Sequence, residues 1–96
     1  MLAVTRFQVA EADTEAFTTG AGVVVDTLSR CAGCRRAQLG RAADDPGLWA
    51  LVSEWDGAGP YRRALSSYDV RVALMPLVVD ALDEPGAFEL VTPASR

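Results

Sequence analysis

The sequence predicts an α+β domain in the order βαββαβ, with one four-stranded antiparallel sheet and its helices on one face. Three observations predict it. Leu48-Trp49-Ala50-Leu51-Val52-Ser53-Glu54-Trp55 alternates, with apolar residues on both faces, so it reads as a strand that needs cover on each side. Asp44-Asp45-Pro46-Gly47 before it is a strong turn signal, which makes an antiparallel hairpin with the strand upstream. A helical stretch and a further strand flank that hairpin on either side.

Leu2 to Val9 alternates well enough for the first strand, with Leu2, Val4, Arg6 and Gln8 on one face and Ala3, Thr5, Phe7 and Val9 on the other. Asp13 is a plausible N-cap for the first helix. Phe17, Ala21, Val24, Val25 and Leu28 form its apolar stripe. Gly20 and Gly22 each cost about 1 kcal/mol relative to Ala there, and permit close approach of a neighbour. Gly33 fits the end of this helix. Cys34 to Arg41 is the second strand and Leu48 to Trp55 the third. After the Gly57, Gly59 and Pro60 break, Tyr61 to Leu65 is a short helix. Ser66-Ser67-Tyr68-Asp69 caps another running toward Leu82, which Pro76 interrupts at Met75. Ala87 to Thr92 is the last strand, with Phe88 and Leu90 on one face. This is the ferredoxin-like arrangement, over a single domain spanning 1–96.

At 96 residues the chain buries only a modest core, yet half of it is hydrophobic. Part of that apolar area is expected to be an interface, with the open sheet face meeting a second copy in a homodimer. The net charge of −4 disfavours nucleic acid. No apolar run is long enough for a transmembrane helix, and no signal peptide stands at the N-terminus, so the expected compartment is the cytoplasm. The chain has no His and no Lys. That removes His general-base catalysis, a Ser-His-Asp triad, a His-ligated metal or haem and a Lys Schiff base.

Cys31-Ala32-Gly33-Cys34 has the CxxC spacing of redox and zinc sites. It falls at a helix C-terminus, where the dipole opposes a thiolate, and zinc would need more ligands than one chain supplies, so it reads as structural free thiols. Trp55, Tyr61 and Tyr68, with Phe17 and Phe88, are the candidate lining of a cleft for a flat apolar or aromatic ligand. Arg62, Arg63 and Arg71 lie beside them in sequence, and an Arg can hold an enolate or phenolate oxyanion. Asp80, Asp83 and Glu84 read as solvated surface.

Gly33-Cys34-Arg35-Arg36-Ala37-Gln38-Leu39-Gly40-Arg41, Asp45-Pro46-Gly47-Leu48-Trp49, Val52-Ser53-Glu54-Trp55, Tyr61-Arg62-Arg63-Ala64-Leu65 and Phe88-Glu89-Leu90-Val91 resemble the antibiotic biosynthesis monooxygenase-like superfamily. The resemblance spans Leu2 to Val91. It implies a dimeric α/β barrel with one cleft per subunit between sheet and helices. It also implies an oxygenase that oxidises an aromatic polyketide or quinol-like molecule with O2 and neither metal nor organic cofactor. Trp55 matches the family's strand Trp and Tyr61 the Tyr that follows it, and Arg71 corresponds to a charge-stabilising Arg. The implied catalytic residues are therefore Trp55, Tyr61 and Arg71, with Phe17, Leu51, Tyr68 and Phe88 as substrate contacts. Leu51 departs from the family pattern, because it stands where those oxygenases carry Asn. A non-catalytic ligand-binding or structural dimer is the alternative, and a different enzyme on the same scaffold a third.

Overall fold

The computed structural model describes residues 1–92. Its elements are β1 (Leu2–Gln8), α1 (Thr14–Ser29), β2 (Cys34–Arg41), β3 (Leu48–Trp55), α2 (Ala58–Ser66), α3 (Tyr68–Leu74) and β4 (Ala87–Phe88). Short 3-10 helices at Glu11–Asp13 and Met75–Asp80 complete it. The sheet order is β2-β3-β1-β4, antiparallel throughout, which is the ferredoxin-like fold the sequence predicts.

The register decides what each face carries. Phe7 pairs with Trp49, Thr5 with Leu51 and Ala3 with Ser53, so these side chains share one face of the sheet. α1 covers that face with Phe17, Ala21, Val24 and Leu28, one residue per turn, all buried. Gly20 lets α1 approach the second 3-10 segment closely, since a Cβ there would lie 3.2 Å from Leu77 Cδ2. Gly33 is fixed by two demands. Its φ is +86°, and a Cβ would lie 2.4 Å from Pro60 Cβ. Replacing it would displace the start of α2.

Leu2, Val4, Leu48, Ala50, Val52 and Phe88 occupy the opposite face, which no element among the described residues covers. Arg6 with Glu84 and Arg36 with Glu54 form ion pairs at its margins. Glu84, which the sequence pattern assigns to solvated surface, is exposed, and there it accepts from both Nε (2.6 Å) and Nη2 (2.8 Å) of Arg6.

Three local expectations meet different outcomes. Asp13 makes no side-chain cap to α1; the preceding 3-10 turn delivers the chain, with the Asp13 N–H donating to the Ala10 carbonyl at 2.9 Å. Ser67 does cap α3, accepting from the Val70 N–H at 3.4 Å, and the α-helix stops at Leu74, before Pro76. β4 is two residues long rather than running from Ala87 to Thr92, because only Ala87 and Phe88 pair with β1. No helix among the described residues is long and apolar enough to cross a membrane.

Candidate functional site

β3 carries both tryptophans on the helix-covered face, about 20 Å apart at strand rise. At the far end Trp55 is 1% exposed. Its Nε1–H donates to Ser53 Oγ at 2.8 Å, and Tyr61 meets its ring edge-on with centroids 5.5 Å apart. α2 presents Tyr61 there because Ala64, one turn on, is buried against the core.

Beside this pair lies a cavity of about 40 Å³. Ala3 and Thr5 of β1 and Leu51 and Ser53 of β3 form its floor. Leu28 of α1 closes one wall, and Tyr61 and Leu65 of α2 with Leu74 of α3 close the rest. Its polar groups are hydroxyls only: Thr5, Ser53 and Tyr61. Ser53 is the one fully buried polar residue among those described. Burial pushes the Tyr61 phenol above the ordinary tyrosine range, so it stays protonated at neutral pH. The arrangement can hold an oxygen atom by donating hydrogen bonds to it; among the described residues no carboxylate or cationic side chain lines it.

The sequence-predicted residues do not gather in a single cleft. Leu51 and Tyr61 line the cavity, and Trp55 backs Tyr61 and Ser53 without lining it. Phe17 is buried between Phe7 and Trp49, with centroids at 5.2 and 5.5 Å, at the other end of the sheet. Helical rise separates it from Leu28 by roughly 16 Å. Tyr68 is 80% exposed, because α3 turns Val70 and Leu74 inward. Phe88 pairs with Leu2 and so stands on the uncovered sheet face. Arg71 is exposed on α3, a turn before Leu74, and does not line the cavity.

Ser53 and Thr5 are the site residues that sequence reasoning missed. Their signal is phase: Ser53 alternates in step with Trp49, Leu51 and Trp55, and Thr5 with Ala3 and Phe7.

Cys31, in the turn after α1, and Cys34, the first residue of β2, are free thiols. The Cys34 thiol is pushed up, mainly by burial, while its contact with the Arg36 carbonyl opposes this and neighbouring Cys31 adds to it. That direction argues against a reactive thiolate. No cluster of three or more His, Cys, Asp or Glu suited to a metal forms among the described residues.

Residues 1–74 match the family model described as antibiotic biosynthesis monooxygenase. No curated protein matches the chain in sequence. Solved structures share its fold. A variant of SnoaB, a cofactor-independent oxygenase from Streptomyces nogalater, superposes with TM-score 0.85 at 23% identity, covering 99% of this chain and 96% of that one. A candidate antibiotic biosynthesis monooxygenase from Deinococcus radiodurans gives TM-score 0.82 at 14% identity, covering 99% and 96%. Rv0793 from Mycobacterium tuberculosis gives 0.76 at 17% identity, covering 99% and 95%.

Proposed function

The chain belongs to the antibiotic biosynthesis monooxygenase family, and we propose that it is a cofactor-independent oxygenase acting on an aromatic, polyketide- or quinol-like small molecule. The observation that carries this reading is the hydroxyl-lined cavity between sheet and helices. Its lining supplies donors for an oxyanion but no strong base. That suits a substrate acidic enough to reach its own carbanion. The carbanion passes an electron to O2, the substrate radical and superoxide couple to form a C–O bond, and the peroxide takes up the proton first lost from carbon. The hydroperoxide then loses its remaining C–H proton as the O–O bond breaks, releasing water. A substrate methylene thereby becomes a carbonyl, one oxygen atom is retained and the other leaves as water.

In this reading Tyr61, backed by Trp55, forms the ring-binding wall and Leu51 part of the floor. Arg71, Phe17, Tyr68 and Phe88 take no direct part. A cavity that accepts benzene measures about 150 Å³. The present 40 Å³ is smaller than that, so in this reading the lining has to give way for a ring to enter.

The uncovered apolar face of the sheet supports a homodimer packed sheet to sheet as an α/β barrel. A monomer at micromolar concentration by light scattering would count against it. The all-hydroxyl and apolar lining also favours a second reading, a non-catalytic module that binds a small ligand. Oxygen uptake by the metal-free protein decides between them. Uptake on anthrone- or hydroquinone-type substrates above the spontaneous rate, lowered in Trp55→Phe and Tyr61→Phe, is expected of the oxygenase. No uptake across the panel with the protein folded sinks it.

A further inference from the structure

Ser53 is a buried hydroxyl that the fold uses only halfway. Its Oγ accepts the Trp55 N–H at 2.8 Å, which occupies one lone pair and orients the side chain. The structure gives this oxygen no other hydrogen-bond partner among the described residues. Its proton therefore remains, on a residue 4% exposed that lines the cavity with Thr5 and Tyr61. A buried donor left unused costs about 1–3 kcal/mol. Every other Ser or Thr hydroxyl with an assigned hydrogen bond donates to a carbonyl nearby in its own helix or turn.

We propose that the Ser53 hydroxyl is the hydrogen-bond donor to a ligand's oxygen, and that Trp55 is its positioning residue rather than a group that touches the ligand. The Trp55 N–H is already spent on Ser53, and its ring lies behind the cavity wall. The polar contact that Leu51 cannot supply on β3 thus comes from two residues further along the same face.

The lining also names the ligand's chemistry. Hydroxyl donors without any cation suit a single phenol, enol or ketone oxygen. A carboxylate would arrive with a full charge and no Arg or Lys to offset its desolvation. An amine would find no carboxylate. The raised Tyr61 keeps a second donor protonated across the neutral range.

This inference rests on the cavity being a ligand site, as the proposed function has it, but its test does not require turnover. Binding of phenol, toluene and benzoate is measured by calorimetry on wild type, Ser53→Ala, Ser53→Thr and Trp55→Phe, each checked for folding by circular dichroism. Wild type is expected to prefer phenol over toluene about tenfold, one hydrogen bond's worth. It is expected to reject benzoate. Ser53→Ala brings the ratio near unity, Ser53→Thr restores it, and Trp55→Phe lowers it without abolishing binding. A purely packing role for Ser53 would leave the ratio unmoved, and an unmoved ratio in Ser53→Ala overturns the proposal. So does a wild type that binds no phenol or binds benzoate better. Oxygen uptake in the same variants keeps the two ideas apart. Uptake with a phenol preference indifferent to Ser53 removes this inference and leaves the oxygenase. A Ser53-dependent preference without uptake does the reverse.

Discussion

The two ends of β3 hold the same residue type on the same face and use it in opposite ways. At one end Trp49 is packed under Phe17, with the Arg41 guanidinium 4.7 Å from its ring centroid, and its buried Nε1–H has no partner. At the other end Trp55 is buried more completely, yet its N–H is satisfied by Ser53 and its ring faces Tyr61 across the edge of a cavity. The first end is filled with aromatic carbon and tolerates an orphaned donor. The second keeps space and matches its polar groups. The difference comes from what α1 sets opposite each: Phe17 at the first end, the slimmer Leu28 at the second.

The harshest way to break this comparison is to empty the filled end. Phe17→Ala removes a ring at 4% exposure that touches both Phe7 and Trp49. It should cost about 3–5 kcal/mol in urea unfolding, since the surrounding rings cannot collapse onto the space. Tyr61→Ala, half-buried beside a cavity already present, should cost clearly less. Equal losses would mean that the two ends are equally close-packed.

A finer cut exchanges each tryptophan for Phe. Trp49→Phe loses packing area but also removes an unpaired buried N–H, so the two changes offset each other. Trp55→Phe loses the area and a made hydrogen bond, and leaves Ser53 without its donor. Trp55→Phe should therefore be the more destabilising by about 1–2 kcal/mol. The reverse order would show that Trp49 Nε1 has a partner in solution.

Sequence pattern carried much of this. The bounds of β2 and β3, the interruption at Pro76 and the helix–sheet layering follow from alternation, turn residues and the i, i+4 stripe of α1. These signals are local, and local physics sets them. The cluster at the site is set by element length and rotation, which are not local. Phe17 and Leu28 share a stripe but lie three turns apart, so one helix serves both ends. Tyr68 faces outward because α3 is rotated to bury Val70. Phe88 takes its face from a register with β1 that only pairing reveals. Ser53 escaped notice for a different reason: a serine in a strand is easily read as its solvent face, although its phase with two tryptophans places it inside.

The smallest expected effect separates the ends by pH. Desolvation holds the Tyr61 phenol above its ordinary value, and no cation among the cavity's lining residues offsets it. A raised folded value contributes stability that is complete below the unfolded tyrosine pKa. That contribution is lost as pH rises through the folded one. Cys34 is raised as well, again chiefly by burial, so its loss follows the same sign in the lower window of an unfolded thiol. Both groups flank the Trp55 end, where Cys34 pairs with Trp55 across the sheet. At the filled end the aromatic packing of Phe7, Phe17 and Trp49 offers nothing that titrates. Urea unfolding between about pH 7 and pH 11 should thus weaken in two steps, near the thiol and then the phenol range. Cys34→Ser should flatten the first and Tyr61→Phe the second. An upper step that survives Tyr61→Phe would place the alkaline weakness elsewhere, and would make the cavity end as indifferent to pH as the aromatic one.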